Sequence, residues 1–435
     1  MALDRSTKSW KWWVCGLLLL ASTINYMDRM TLASVSRRVI DELRLTNADY
    51  GMVEQFFGYA FAFGALFFGP LVDRFSPKWV YPIVLTLWSA MGVLTAYAGE
   101  FGGLNTVSSL LLCRTLLGLF ESGHWPCALQ TTQRLLPPEA RALGNSILQS
   151  GVSIGAIVTP LIISAMLTPA PGSWRLPFIA IGAIGVFWVA AWVWTMRGAS
   201  FELPAAEQQQ ERPHWIAGLK QLVGDHRFWL LVVVVCSINT TWSIYRVWLP
   251  LALQDKAGLA FTEQQTLGQI LPAYYILTDI GCLGAGAATL WLHRRGFSVL
   301  NSRRWVFSVC AVLVLSATQL PALSRGEWTI PGVPPVAAAL TVLMMTAAGS
   351  LGVFPCYYAF TQELSQRHIG LVTGLLSFIA WISGSSLQKP LGAYIDRTGS
   401  YDLAFLAGPI PILVSAVALW LFWDLPGRPA RSTTP

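Results

Sequence analysis

Seven charged side chains stand out as candidates inside stretches that are otherwise apolar: Asp28, Arg29, Arg114, Glu121, Arg246, Asp279 and Lys389. A charge near the centre of a bilayer costs at least ~2.5–3.5 kcal/mol, so each is a candidate functional group. The alternative for each is an ion pair that holds helices together. Arginine and the acids suit different work. A planar guanidinium grips a carboxylate through two parallel N–H···O bonds, which the point charge of a lysine does less well. A buried carboxyl group can take up and release a proton at physiological pH, which an arginine cannot. The sequence therefore predicts an anion held by Arg29 and Arg114, with Arg246 further out, and protons carried by Asp28, Glu121 and Asp279, the last being also the nearest counter-charge for Arg246 from the C-terminal half. Glu121 follows Arg114 by seven residues, two turns along one helical face. Asn25, Tyr26, Gln55, Tyr59, Gln149, Tyr274, Tyr275, Ser385 and Gln388 lie in the same apolar runs and suit a ligand rich in hydroxyls. For any one tyrosine, packing against neighbouring helices competes with that role, and His124 is open between the Glu121 face and simple packing.

The elements that must position these groups are membrane-spanning helices. A helix crosses the hydrocarbon core in ~20 residues, and a chain of 435 residues gives twelve spans about 36 residues each with their connections. The apolar runs are Trp12–Val35, Tyr50–Leu71, Trp79–Ala98, Asn105–Gln130, Leu143–Met166 and Leu176–Met196, then Phe228–Leu253, Leu267–Leu292, Trp305–Leu323, Val333–Phe360, Gly370–Ala393 and Leu403–Phe422. The first is too long for a signal peptide and contains Asp28 and Arg29, so it is a span. With the N-terminus inside, the inner segments carry 18 Lys and Arg against 7 in the outer loops, which places both termini in the cytoplasm. The exception is the first outer loop, where Arg37, Arg38 and Arg44 face only nearby acids.

Residues 198–227 are polar, with Glu202, Glu207, Gln208, Gln209, Gln210, Glu211 and Arg212 clustered there together with Pro204 and Pro213. They read as a cytoplasmic linker between a six-helix bundle at 1–197 and another at 228–435. The halves share a register. Gly172-Ser173-Trp174-Arg175-Leu176 is matched by Gly399-Ser400-Tyr401-Asp402-Leu403, and Arg141 with Gly144 by Arg367 with Gly370. Such internal repeats are a common feature of transporters.

The composition excludes several classes. The chain is 54% hydrophobic and 12% charged with mean hydropathy +0.53, half the charge of a soluble domain. That rules out a disordered chain, a nucleic-acid-binding module and an ordinary cytosolic enzyme; the net charge of +7 reflects basic inner loops. Seven cysteines in apolar stretches, none in CxxC spacing, read as small packing residues with neither disulfides nor a metal site. No GxxxxGK[ST] loop, HExxH or cofactor fingerprint occurs, so neither an ATP-driven pump nor a metalloenzyme is expected, and no cofactor is implied.

Gly69-Pro70-Leu71-Val72-Asp73-Arg74-Phe75-Ser76-Pro77-Lys78 resembles the loop signature of the major facilitator superfamily, with Ser76 where that family usually has glycine. Gly69, Asp73 and Arg74 are its gating positions. The related loop near Gly284, Gly286, Arg294 and Arg295 has Ala288-Thr289 in place of the usual acid. Within the superfamily, Asn25-Tyr26-Met27-Asp28-Arg29 with Arg114 and Glu121 looks like the anion:cation symporter family, which includes bacterial hexuronate and galactonate transporters. Tyr245-Arg246-Val247-Trp248-Leu249-Pro250 and Asp279-Ile280-Gly281 resemble the hexuronate branch. Ser385 stands where galactonate-type members have asparagine. The resemblance implies that Arg29 engages the substrate carboxylate with Arg114 in support, that Asp28 and Glu121 couple protons, and that Tyr26 and Tyr59 touch substrate.

The expectation is an all-α membrane protein of twelve helices in two pseudo-symmetric six-helix bundles, the major facilitator fold. It is expected to sit in a bacterial inner membrane and to work as a monomer. As a proton-coupled symporter it would import a sugar-acid anion by alternating access, glucuronate or galacturonate first. Its partners are that small anion, protons and the lipid bilayer, with no nucleic acid. Galactonate, glucarate or an aromatic acid is the alternative cargo. A proton-coupled drug or cation antiporter is the rival, and the buried arginines argue against it.

Overall fold

The computed structural model describes residues 8–136, 138–197, 222–255, 261–328, 331–364 and 369–424, so most of the expected linker lies outside the described residues. Among the described residues there is no strand. The helices are α1 (Lys8–Ser34), α2 (Ser36–Leu43), α3 (Asn47–Phe75), α4 (Pro77–Thr95), α5 (Thr106–Glu121), α6 (His124–Leu135), α7 (Pro138–Met166) and α8 (Arg175–Met196). They continue as α9 (His226–Gln254), α10 (Glu263–Arg294) and α11 (Val299–Ser324). The last five are α12 (Pro335–Leu364), α13 (Ile369–Ser386), α14 (Gln388–Thr398), α15 (Asp402–Ala407) and α16 (Pro409–Phe422).

Eight of the described helical stretches are long and apolar enough to cross a membrane as uninterrupted runs. The other four predicted spans fall on α1, α4, α5–α6 and α13–α14. α4 is only 19 residues long, and α1 carries Asp28 and Arg29. The remaining two are broken, α5–α6 at Ser122–Gly123 and α13–α14 at Leu387. Three of these four weaker stretches, α1, α5–α6 and α13–α14, bear polar groups that the sequence predicts to do chemistry. Among the described residues the chain makes twelve crossings, the all-α membrane architecture expected.

The turns between helices are locally encoded. Thr46 and Asp49 form a reciprocal capping box that starts α3: the Asp49 N–H donates to Thr46 Oγ1 at 3.0 Å, and the Thr46 N–H donates to the Asp49 carboxylate at 3.0 Å. Pro77 opens α4, where its missing N–H costs nothing. Between them Ser76 adopts φ 66° and ψ 138°, a backbone region suited to glycine, at the position where the loop signature usually has one.

Two compact units emerge. The first falls within Met1–Gln210, Ile244–Ile276 and Ser385–Leu403, the second within Glu211–Ser243, Leu277–Gly384 and Ala404–Pro435. In the first unit, close helix packing depends on missing side chains. A Cβ at Gly118 of α5 would lie 2.3 Å from the Phe57 carbonyl of α3, and one at Gly51 of α3 would lie 2.3 Å from the Gln388 carbonyl of α14. At the end where α1 meets α2, Arg37 pairs with Asp41 and Asp255 at 3.0 and 3.2 Å, and Arg38 with Glu263 at 2.5 Å. Asp396 of α14 accepts the Asn47 and Ala48 N–H groups that open α3, at 2.9 and 2.8 Å. Two of the three arginines that follow α1, Arg37 and Arg38, are thus matched by acids distant in sequence. In the second unit Arg304 of α11 pairs with Asp424 at 2.8 Å. All seven cysteines are free thiols, five of them buried.

Candidate functional site

Four helices of the first unit bring their charged positions together. On α1, Asn25, Asp28 and Arg29 share a face by i, i+3, i+4 spacing. Along α3, Tyr50, Glu54, Phe57 and Phe61 follow one stripe, while α5 sets Arg114, Gly118 and Glu121 in line. The absent side chain at Gly118 lets α5 close on α3, and α9 adds Arg246.

Three buried ion-pair contacts result. Arg29 Nη2 donates to Glu121 Oε2 at 3.0 Å, with side chains 7% and 0% exposed. Arg114 Nη2 meets Glu54 Oε1 at 3.2 Å and Arg246 Nη2 meets Glu54 Oε2 at 2.9 Å, so one carboxylate joins guanidinium groups from two helices. Arg114 Nη1 also donates to the Asp28 main-chain carbonyl at 3.5 Å. Aromatic faces flank the cations. The guanidinium carbon of Arg29 lies 4.9, 5.5 and 5.6 Å from the ring centres of Phe61, Tyr26 and Phe57, and that of Arg114 lies 4.9 Å from Phe57. Such contacts stabilise a desolvated cation by ~0.5–2 kcal/mol. The carboxylate of Asp28 is buried, and neither oxygen has a hydrogen-bond partner among the described residues. A Cβ at Gly92 of α4 would lie 3.0 Å from Asp28 Oδ1, so the glycine makes the room that Asp28 occupies.

The cluster holds three guanidinium groups and three carboxyl groups, Asp28, Glu54 and Glu121. Charges this deeply buried persist only when paired. Chemically, the set offers planar donors for a carboxylate and acids able to exchange a proton.

Five of the predicted residues, Asp28, Arg29, Arg114, Glu121 and Arg246, meet in this cluster. Tyr26 lies against Arg29, and Asn25 is buried with its Nδ2 unpartnered among the described residues. Tyr59 shares a 2.8 Å hydrogen bond with Ser386 Oγ and receives one of 2.9 Å from Gln55 Nε2. Its neighbour from the α13–α14 break is therefore Ser386, next to the predicted and also buried Ser385. Gln388 Oε1 accepts the indole N–H of Trp248 at 2.9 Å. Gln149 and Lys389 are exposed on their helices, and Arg74 is exposed with its guanidinium 5.3 Å from the Phe75 ring. Gly69 has nothing within 4 Å of an added Cβ, and the side chain of Asp73 lies outside the described residues.

One expectation changes and one open reading closes. The sequence assigns Asp279 as the counter-charge for Arg246, but the acid Arg246 holds is Glu54; Asp279 is half-buried on α10 in the second unit. His124 has both ring nitrogens engaged, Nε2 with Ser22 Oγ at 3.0 Å and Nδ1 with the Tyr81 hydroxyl at 2.8 Å, as a packed core histidine does. Glu54 itself was legible as an acid inside the run Tyr50–Leu71, one turn past Tyr50 and one before Phe57.

The family model of the Major Facilitator Superfamily matches residues 18–388. The chain belongs to that superfamily. It is a multi-pass membrane transporter and not an enzyme. Over 431 residues it is 22% identical to the hexuronate transporter of Escherichia coli strain K12, covering 96% of this chain and 94% of that one. A probable L-galactonate transporter of the same strain is 24% identical over 400 residues, covering 90% and 84%. Among solved structures, a bacterial homologue of the human lysosomal transporter Spinster, in an inward-facing and occupied conformation, superposes with TM-score 0.74 at 15% identity, covering 96% and 97%. That likeness speaks to the fold alone.

Proposed function

We propose that this transporter is a proton-coupled symporter that imports a monoanionic sugar acid, a hexuronate such as glucuronate or galacturonate first, by alternating access. The observation that carries the reading is the buried Arg29–Glu121 pair at 3.0 Å, which links a carboxylate-binding group directly to a titratable acid. When Glu121 takes a proton its hold on Arg29 weakens, and the substrate carboxylate becomes the partner of the guanidinium. Arg29 is then open to the substrate only together with a proton. Asp28 beside it is the second proton site, and Asp279 a third in the other unit. Tyr26, Asn25, Tyr59, Gln149, Ser385 and Gln388 serve the hydroxyl groups, with Arg114 and Arg246 setting the field around them. Gly69, Asp73 and Arg74 gate the inner side.

The two relatives named for hexuronate and galactonate support a sugar acid as the cargo. We place the protein in a bacterial inner membrane as a monomer, with bundles at 1–197 and 228–435 joined by a cytoplasmic linker.

The test is a thermal-shift and binding panel of hexuronates, aldonates and aromatic acids, with organic cations as the contrast, on the purified protein. A ligand at 100 times its Kd stabilises by ~2.7 kcal/mol, enough for a visible rise in Tm. Hexuronates are expected to give the largest rise. A panel in which organic cations shift the Tm and no acid does would replace the reading with a drug or cation antiporter.

A further inference from the structure

Glu54 is the buried acid that the proton-coupled scheme does not use, and its geometry differs from that of the others. Among the described residues Asp28 has neither oxygen hydrogen-bonded and Glu121 has one, whereas both oxygens of Glu54 are held, by Arg114 at 3.2 Å and Arg246 at 2.9 Å, with no exposure of its side chain. Arg114 Nε and Arg246 Nη1 are also buried without hydrogen-bond partners among the described residues, so donors remain on both guanidiniums beyond those Glu54 uses. Glu54 thus sits where the carboxylate of a ligand would be expected between two arginines.

We propose that Glu54 is a resident counter-anion that restricts the site to substrates with a single carboxylate. The inference rests on the sugar-acid reading and names the charge class it admits. Three guanidinium groups face three acids. With one proton held between the two proton sites, Asp28 and Glu121, one of them is neutral, the other and Glu54 remain charged, and one substrate carboxylate completes the balance. A second carboxylate finds no uncompensated cation and meets Glu54 in a setting where like charges repel strongly. Removing the charge of Glu54 frees one cation's worth of field at Arg114 and Arg246, and a dianion then fits. Glu54 acts through the two arginines and touches no substrate atom, so it is a specificity-determining residue.

The test compares acids that differ by one carboxylate on a shared skeleton: gluconate against glucarate, both open-chain, and benzoate against phthalate as a non-sugar pair. Dissociation constants are measured on the full-length protein and on Glu54→Gln, Arg246→Gln and the double variant. The parent protein is expected to favour the monoanion of a pair. Glu54→Gln should move the ratio of the two constants at least tenfold towards the dianion. Arg246→Gln should weaken the monoanion at least tenfold, and the double variant, with balance restored, should recover most of that loss. An unmoved ratio in a folded Glu54→Gln protein overturns the proposal. Should Glu54→Gln fail to fold, a double variant no better than Arg246→Gln does the same. If the benzoate–phthalate pair follows the pattern while sugar acids do not bind, the charge rule stands and the sugar-acid reading falls. If neither pair binds the parent protein, both fall.

Discussion

Replacing Arg29 by lysine keeps the charge and removes the fork. In the folded protein the guanidinium donates to Glu121 at 3.0 Å and lies 4.9–5.6 Å from the centres of three aromatic rings. A lysine ammonium retains the Coulomb attraction to Glu121 but presents no planar pair of N–H groups to a carboxylate and stacks poorly on rings. One lost hydrogen bond to a charged group costs ~1.5–3 kcal/mol, and at ~1.4 kcal/mol per tenfold that weakens substrate binding roughly 10- to 100-fold. Proton-driven uptake at low substrate concentration should fall to near background. The Tm should stay within a few degrees of the parent protein because the buried charge remains paired. Titration calorimetry with glucuronate, run beside the melting curve, separates the two effects. Near-parental affinity in the folded lysine variant would remove Arg29 from the substrate site, whatever the uptake rate.

Glu121→Gln preserves shape and hydrogen bonding but cannot lose a proton, so it should bind substrate and exchange it in counterflow while failing to concentrate it. Loss of counterflow and uptake together would make Glu121 structural or a direct ligand. Gly51→Val should lower the Tm by several degrees. Its Cβ would lie 2.3 Å from the Gln388 carbonyl, and overpacking of this kind costs ~1–3 kcal/mol; an unchanged Tm would mean that α3 and α14 do not approach so closely. Ser76→Gly should raise stability by ~1 kcal/mol, since a non-glycine residue held at φ 66° carries strain that glycine does not. A lower Tm in that variant would contradict the turn geometry.

The crossings were readable because each is a long apolar run, and the breaks at Ser122–Gly123 and Leu387 fall inside runs that hydropathy alone joins. The cluster was partly readable for the same reason: charge inside an apolar run is conspicuous, and Arg29, Arg114, Glu121 and Asp28 stand out at once. Pairing was not readable. Glu54 and Arg246 are 192 residues apart, and nothing local to either says that they meet, so Asp279, on the next span, looked the natural partner. Glu54 also lies a single turn inside its span, where an acid is easily taken for an interfacial residue. The three arginines Arg37, Arg38 and Arg44 look like an orientation anomaly from sequence, and only the contacts of Arg37 with Asp255 and Arg38 with Glu263 explain two of them.

The most direct measurement is uptake of labelled glucuronate into proteoliposomes carrying the purified protein, with the outside made acidic relative to the lumen. Accumulation above the external concentration, collapsed by a protonophore and absent in Glu121→Gln, is the outcome expected of a proton-driven sugar-acid symporter. Uptake that only equilibrates, with the same rate and extent whether or not a pH gradient is imposed, would contradict it.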